Sequence, residues 1–345
     1  MKNLTHAKTA AIFLIFAILL APATGLAGKS KYIFKIASLA PAGSIWAKHF
    51  DNFAKEVNEM SNGEITFKVY PGGVMGDDRA MYRKMQIGQL HGGGFTMTGI
   101  SEVVPDFRVL GIPVMFKSLD EVDKVSQALL PTFRKAFEDK GLAFIAQSEV
   151  GFVYAMSATP VKDLDQLRKT KCWLPSNDPV NLTYFQNLGV TPIQLSIPDV
   201  LPSLQTGLID TVFNSFYGSI VLQWFTKTAY ITDAPYAYAY GALVFSKKSM
   251  DRLSPQYVEA IYKIADKHFA KLLAATRKSN DDALTALKDN GIKLIEPTPE
   301  TLRELEANRV KTVEEIIGNA FSKKIYAEAM KVLGETRGTT LAKGN

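Results

Sequence analysis

The chain has 345 residues, of which 47% are hydrophobic and 21% are charged, and its formal net charge is +6. This length fits two lobes better than one, and the composition is that of a globular protein. The basic residues are spread along the chain, without an Arg-rich block interleaved with aromatics, so we expect no nucleic-acid partner.

The N-terminus has the pattern of a secretory signal peptide. Lys2 and Lys8 precede an apolar run, Ala10–Ala21, that is too short to span a bilayer, and small residues follow it. We predict cleavage after Ala27, so that residues 1–27 are removed and the mature protein resides in the periplasm. Cleavage removes two lysines and no acids, which leaves 38 basic against 34 acidic residues and a net charge of +4.

Strands and helices alternate in the first part of the mature chain. Strands are predicted at 32–39, at 64–70 and, rich in glycine, at 92–99. Two helices lie between them, one capped by Ser44 and the other starting at Asp77 or Asp78. This order predicts largely parallel pairing with right-handed crossovers.

The same alternation returns after the Pro-containing passage "GIPVMF". The predicted elements are a helix at 119–140, two strands within 142–157, a strand at 170–175, a helix at 179–189, a strand at 191–196, a helix from Pro198 to Gly207, a strand at 209–215 and a long strand at 234–246. In the last of these, Tyr236, Tyr238 and Tyr240 share one face.

A helical pattern then runs almost unbroken from Pro255 to Asn290. Its 36 residues correspond to about 54 Å of helix, which is long enough to cross both lobes. A strand at 292–297 and two or three helices follow. The fold class predicted from these elements is therefore α/β, with two lobes and one long helix that spans them.

Motifs that carry catalysis are not found. The "HGGG" at 91–94 is similar to an oxyanion-hole stretch, but no G-x-S-x-G motif supplies a nucleophile. No phosphate-binding or dinucleotide-binding glycine motif is present. His49, His91 and His268 are scattered, and the one cysteine, Cys172, has no pairing partner and suits a buried apolar position. We therefore predict no catalytic residue, no cofactor and no metal, and no internal disulfide.

Two long stretches resemble a known family. They begin with "YIFKIASLAPAGSIWAKHFDNFAKEVNEMSNGEITFKVYPGGVMGDD" and continue with "GVTPIQLSIPDVLPSLQTGLIDTVFNSF". Both are similar to the solute-binding subunit of tripartite ATP-independent periplasmic (TRAP) transporters. The resemblance implies a periplasmic-binding-protein fold of two α/β lobes, joined by crossing strands and a long helix. It also implies delivery of solutes, commonly organic acids, to a small and a large membrane subunit, in import driven by an ion gradient.

The resemblance suggests how the lobes divide the chain. We expect lobe I to comprise residues 31–150 and 239–280, and lobe II to comprise residues 151–238 and 281–335. The protein is expected to be a monomer.

One departure from the family concerns how a carboxylate is bound. In the family, the strand equivalent to "TKCWLP" carries an arginine that pairs bidentately with the ligand carboxylate. The resemblance places Trp173 at that position, and Arg168 is five residues too early to replace it. Where some members have a second arginine, this chain has "GFVY". Trp173 is either a platform on which a flat or apolar solute stacks, or an aromatic residue of the core.

Other residues are weaker candidates for the site. Asn214 matches the family's ligand-contacting asparagine, and could alternatively form a turn. The remaining candidates, each with a core position as its alternative, are Phe95, Thr96, Tyr154, Tyr217 and Trp46. Asn177 and Asp178 are expected to cap the helix that starts at Pro179, whose N–H groups could still face an anion.

These observations predict a receptor for an organic acid with a flat or apolar body, coupled to a TRAP importer. Two alternatives remain open at this point: a binding protein of the same fold that feeds a sensor, and an exported enzyme.

Overall fold

The computed structural model describes residues 30–343, with side chains through residue 338. The predicted signal peptide, residues 1–27, lies outside the described residues. The described part is a mixed α/β protein, and its strands and helices follow one another as the sequence predicts in most places.

The strands are β1 (Tyr32–Ser38), β2 (Ile65–Tyr70), β3 (Gly92–Thr96), β4 (Leu142–Ser157), β5 (Trp173–Pro175), β6 (Ile193–Leu195), β7 (Thr211–Asn214), β8 (Tyr230–Thr232), β9 (Ala237–Ser246) and β10 (Lys293–Ile295). The α-helices are α1 (Ile45–Met60), α2 (Asp78–Gln86), α3 (Met97–Ile100), α4 (Leu119–Glu138), α5 (Leu164–Leu167), α6 (Pro179–Asn187), α7 (Ile197–Thr206), α8 (Phe216–Val221), α9 (Lys247–Met250), α10 (Pro255–Asp289), α11 (Pro299–Ile316) and α12 (Lys323–Lys343). Two 3₁₀ helices cover Pro105–Gly111 and Trp224–Lys227.

Eight strands form one sheet in the order β10-β8-β4-β9-β3-β1-β2, and β7 pairs with β4 on the edge opposite β8. Parallel pairing holds for β1 with β2 and with β3, as the alternation of strands and helices predicts. The two long strands β4 and β9 are antiparallel to each other, and β9 is antiparallel to β3. A separate pair, β5 and β6, is parallel.

The stretch 142–157 forms one strand rather than the two that the sequence predicts. The pairing of β4 with β9 shifts register between Glu149 and Gly151, and Gly151 has a φ of +115°. A bulge at this glycine lets the strand bend without ending, because only glycine adopts that backbone conformation readily. β4 therefore continues from the β1–β3 side of the molecule to the β7–β8 side.

We call the part built on β1–β3 the first lobe and the part built on β5–β8 the second lobe. β4 and β9 run through both, and so does α10. Residues Ile261 and Ile264 of this helix pack in a core of the first lobe, and Ala283 and Leu287 pack in a core of the second. A helix of 35 residues is about 52 Å long, so α10 reaches both cores.

The C-terminal helix α12 packs on the first lobe. Ile325, Ala329 and Leu333 share a core with Phe133 of α4, and Thr132 donates to Glu328. The predicted lobe division placed residues 281–335 in lobe II, whereas α12 packs on the first lobe. The amphipathic pattern of a helix predicts that one face is buried but not which lobe buries it. The other predicted lobe boundaries stay a prediction.

Cys172 is fully buried, and burial raises the pKa of its thiol to about 12. The structure confirms its position as a small buried residue, with no exposed thiolate.

Candidate functional site

A cavity of about 270 Å³ lies between the two lobes. Its walls come from the ends of β1 and β3, the start of α1, the middle of β4, β5, the start of α6, the end of β7, β9 and the middle of α10. Strand ends and helix starts thus converge from both lobes on one space. The aromatic side chains of the wall are Trp46, Phe50, Phe95, Trp173, Phe213, Trp224, Tyr236, Tyr238, Tyr240 and Phe269.

Five of the seven site residues predicted from the sequence line this cavity: Trp46, Phe95, Thr96, Trp173 and Asn214. The other two, Tyr154 and Tyr217, are not lining residues. Tyr154 stacks on Phe216, with ring centroids 4.2 Å apart, and the Tyr217 hydroxyl accepts from the Ile45 N–H at 2.9 Å.

Trp173 belongs to a core and is also a residue of the cavity wall, and its role as a platform for the solute stays a prediction. Its side chain is 3% exposed and packs edge-to-face on Trp224, with centroids 5.0 Å apart, in a core of the second lobe. Trp173 is also one of the residues that line the cavity. The indole Nε1–H donates to the Leu195 carbonyl at 3.0 Å, so this N–H is already used. Trp173 therefore offers a solute an apolar surface and no hydrogen-bond donor.

Trp46, at the start of α1, is likewise held by an indole hydrogen bond and by a contact with another aromatic ring. Its Nε1–H donates to the Glu149 carbonyl at 3.0 Å, and its ring meets Tyr217 edge-to-face at 5.1 Å. Because Glu149 belongs to β4 and Tyr217 to α8, the indole touches both lobes at one side of the cavity.

Thr96 closes the first-lobe wall at the end of β3. Its hydroxyl donates to Asp78 Oδ2 at 2.6 Å, and its backbone N–H donates to Asp78 Oδ1 at 3.1 Å. The Thr96 hydroxyl also accepts from the Gly99 N–H at 3.1 Å, which caps α3. Burial raises the pKa of the Asp78 carboxyl to about 7, against the opposing effect of the Thr96 hydrogen bonds.

Asn214 stands at the end of β7, where the strand gives way to α8. Its Oδ1 accepts from the Ser215 N–H at 2.8 Å, and its Nδ2 has no hydrogen-bond partner within the described part of the chain. Gly218 of α8 lies directly against the carboxamide, since a Cβ on Gly218 would come within 2.3 Å of Asn214 Oδ1. The amide is therefore held in place with one donor group left for the cavity.

A polar wall that is not predicted from the sequence consists of Asp178, Asn181 and Tyr236. Asp178 caps α6: Oδ1 accepts from the Asn181 N–H at 3.1 Å, and Oδ2 accepts from Asn181 Nδ2 at 2.5 Å. The Tyr236 hydroxyl in turn donates to Asn181 Oδ1. Burial raises the pKa of Asp178. The prediction that Asp178 caps a helix is confirmed, but nothing in that pattern shows that the cap faces a cavity.

Tyr238 and Tyr240 also line the cavity, and their shared face was the signal available in the sequence. The Tyr238 hydroxyl donates to Glu149 Oε2 at 2.9 Å, and the Tyr240 hydroxyl donates to the Phe107 carbonyl. Their hydroxyl groups thus form hydrogen bonds to other atoms of the protein, and their rings form part of the cavity wall.

Ionic chemistry at the site is sparse. Among the described residues that line the cavity, Asp178 is the one charged side chain, and neither lysine nor arginine contributes. Within residues 30–343, no group of histidines, cysteines and acids is arranged to hold a metal ion.

The same part of the chain contains no helix that is both long and apolar enough to cross a membrane.

Comparison with known proteins decides the family. The family model of bacterial extracellular solute-binding protein family 7 (DctP) matches residues 36–319, which is most of the chain. The chain belongs to the DctP family. This confirms the resemblance to TRAP solute-binding subunits and gives the class of the molecule: it is an extracytoplasmic solute-binding protein.

Relatives of this DctP-family chain cover most of its length at low identity. A 2,3-diketo-L-gulonate-binding periplasmic protein of Escherichia coli is 25% identical over 73% of this chain and 76% of the relative. A sialic acid-binding periplasmic protein of Vibrio cholerae is 22% identical over 85% of this chain and 92% of its own.

Solved structures confirm the two-lobed fold of the DctP-family chain. The sugar acid binding protein of Advenella mimigardefordensis, in complex with galactonate, superimposes with a TM-score of 0.83 at 22% identity, over 89% of this chain and 99% of the other. A TRAP periplasmic solute-binding protein from Desulfovibrio salexigens with bound orotic acid gives 0.81 at 19% identity, over 88% and 98% of the two chains.

Proposed function

We propose that the protein captures a small organic solute with a flat or apolar body in the cavity between its lobes. It then delivers the solute to the small and large membrane subunits of an importer driven by an ion gradient. The observation that carries this proposal is the cavity itself, which is enclosed by aromatic side chains from both lobes. Relatives are described as binding acids such as galactonate and orotic acid, and the sequence also predicts an acid.

We propose further that the protein binds its solute without transforming it. Its wall offers hydrogen-bonded hydroxyls, capped backbone groups and aromatic rings, which suit holding a molecule between two lobes. It is expected to act as a monomer, because each lobe supplies part of the one cavity and a second copy is not needed to complete it.

The binding step can be tested on the mature protein after unfolding and refolding have removed any bound solute. Thermal unfolding is followed against a panel of organic acids and of uncharged aromatic and aliphatic solutes. A solute at a hundred times its Kd stabilises the folded state by about 2.7 kcal/mol, which is a clear rise in Tm. A panel of transformed products in the same samples would instead indicate an enzyme.

The delivery step requires membrane vesicles that contain both membrane subunits. Uptake of the radiolabelled solute is expected only when the receptor and an ion gradient are both present. Uptake without the receptor, or no uptake with every component present, would contradict a transport role and leave a sensor partner as the explanation.

The export step has its own test. We propose that residues 1–27 are cleaved, so that the mature N-terminus is Gly28 and the protein is released with the periplasmic fraction. Mass spectrometry of the intact protein measures this. Recovery only in the membrane fraction with Met1 present would show that the apolar run remains as an anchor.

A further inference from the structure

We propose that the solute of this cavity is uncharged: it has a flat or apolar body and one polar group, and it is not a carboxylate. This inference rests on the proposed function of the cavity and narrows it. It departs from the acid that the sequence predicts and from the acids in the descriptions of relatives.

The first reason is that no positive charge faces the cavity among the described lining residues. The buried cation Arg108 lies outside the wall and donates to the carbonyls of Ala320 and Ser101, at 2.7 and 3.0 Å. Arg277, on α10, is paired with Glu149 and Asp123. A carboxylate enclosed without a partner would lose its hydration, which costs several kcal/mol.

The second reason is that side chains of the protein cap α1, α3, α6 and α8, four of the helices that start at the cavity. A helix N-terminus binds an anion through free N–H groups, and at least one N–H of each of these four starts already has a side-chain acceptor. The capped N–H groups, each with its acceptor, are Asn181 to Asp178 Oδ1 (3.1 Å), Gly218 to Ser215 Oγ (3.1 Å), Gly99 to Thr96 Oγ1 (3.1 Å), Ala47 to Ser44 Oγ (3.3 Å) and Ile45 to the Tyr217 hydroxyl (2.9 Å). The start of α6, which the sequence left open as an anion site, is therefore occupied by the carboxylate of Asp178.

The third reason concerns the polar side chains of the wall. The indole N–H groups of Trp46 and Trp173 and the hydroxyls of Tyr236, Tyr238 and Tyr240 all donate inside the protein. In the described wall, Asn214 Nδ2 and the Ser148 hydroxyl are without a protein partner, and both groups are neutral. Such neutral donors suit a carbonyl or hydroxyl oxygen of the solute, and they cannot balance a full negative charge.

A positively charged solute is not favoured either. Asp178 is the one acid of the wall, but it is 4% exposed and both of its oxygens accept from Asn181. An ammonium group would have to compete with these bonds. The aromatic rings instead offer their faces to an uncharged body, and about 270 Å³ accommodates one ring with a short substituent.

The test is a matched series of three probes that share a phenyl ring and differ in charge: phenylacetamide, phenylacetate and 2-phenylethylamine. Calorimetry at pH 7.5 on the stripped wild-type protein is expected to give a Kd for the amide at least tenfold lower than for either ion. Tighter binding of phenylacetate would overturn the inference. Tighter binding of the amine would also overturn it and would indicate that Asp178 binds the polar end of the solute.

A second measurement does not depend on the choice of probe. The stripped protein is dialysed against a small-molecule cell extract, and the captured solute is released by unfolding and identified by mass spectrometry. An uncharged solute is expected, and a captured carboxylate overturns the inference. A protein that captures nothing from the extract and binds no member of the acid or amide panels refutes the proposed function itself, which is a different result.

A variant pair tests whether the missing cation sets the preference. Trp173→Arg adds a guanidinium at the cavity wall, whereas Trp173→Phe keeps an aromatic ring and adds no charge. The ratio of the phenylacetate Kd to the phenylacetamide Kd is expected to fall at least tenfold in Trp173→Arg and to stay near the wild-type value in Trp173→Phe. A folded Trp173→Arg protein with the wild-type ratio contradicts the inference, and the wild-type series stands independently if this variant does not fold.

Discussion

Trp173 belongs to a core and to the cavity wall at once. Its N–H is fixed by the Leu195 carbonyl and its ring by Trp224, so the face that reaches the cavity is held rigidly. A rigid aromatic wall loses little conformational entropy when a solute binds against it. Binding selectivity at this residue therefore depends on shape and contact area.

Asn214 is positioned by a glycine. We predict that Gly218→Ala weakens solute binding about two- to tenfold, because the added Cβ would lie 2.3 Å from Asn214 Oδ1 and must displace the carboxamide. The new position removes the Nδ2 donor from the solute, and a hydrogen bond contributes roughly 0.5–1.5 kcal/mol. Calorimetry with the solute of the wild-type protein measures the change.

The matched control for this prediction is Gly334→Ala, in α12, where a Cβ would meet no atom within 4 Å. It is expected to leave binding unchanged and to raise the stability slightly, since alanine favours a helix by up to about 1 kcal/mol over glycine. Equal binding by both variants would show that the Asn214 carboxamide does not contact the solute.

At the scale of elements, Asp78 joins the start of α2 to the end of β3. Its raised pKa has a consequence for stability. The folded-state pKa is about 7, against 3.8 for the free group. Between these values the unfolded chain releases the proton while the folded chain keeps it. The contribution of Asp78 is therefore fully present below about pH 4 and is lost as the pH rises through 7.

We predict that Asp78→Asn removes this loss of stability with rising pH, because the amide stays neutral at every pH. The free energy of unfolding of the variant, relative to wild type, should rise by on the order of 3 kcal/mol between pH 4.5 and pH 8. Urea unfolding at a series of pH values measures it. A difference that does not vary with pH would show that Asp78 titrates normally in the folded protein.

Much of the element order can be predicted from the sequence, because hydrophobic periodicity depends on local burial. The parallel strands β1–β3, the capping of α1 by Ser44 and the long helix α10 follow from such patterns. The continuity of β4 does not, since it depends on a bulge at Gly151 that pairing with β9 stabilises. The packing of α12 on the first lobe is likewise a contact between distant parts of the chain.

The candidate site illustrates the same limit. Successive residues of a strand point to opposite faces, so Val153 lines the cavity while its neighbour Tyr154 packs on Phe216. Residue type alone favoured the tyrosine. Asp178 was predicted as the cap of a helix, but only the meeting of the two lobes makes that helix start a wall.

At the scale of the whole molecule, the lobes touch beside the cavity. The Tyr217 hydroxyl of the second lobe accepts from the Ile45 N–H of the first, and a Cβ on Gly73 would come within 3.4 Å of Pro198 Cγ. These contacts join surfaces that a rotation of the lobes would separate. We expect the solute-free protein to populate a more open form, with a larger radius of gyration in small-angle scattering than the solute-bound form.

We predict that Tyr217→Phe shifts this balance towards the open form. The variant loses the acceptor of the Ile45 N–H, so the closed form is destabilised by roughly 0.5–1.5 kcal/mol and the solute dissociates about two to ten times faster. Stopped-flow displacement measures the rate. The control is Tyr326→Phe, whose hydroxyl makes no hydrogen bond to the described residues; similar dissociation from both variants would argue against a closing role for Tyr217.

The long elements shared by the lobes also determine how the protein acquires its structure. β4 pairs with β9 across roughly ninety residues of intervening chain, and α10 contributes apolar residues to a core in each lobe. Neither lobe can complete its core from a continuous segment. Each core includes residues that are translated only after most of the other lobe has been made. Pairings of such high contact order form slowly. The chain should therefore fold in one late, cooperative event, and a nascent fragment containing only one lobe should remain open to proteases.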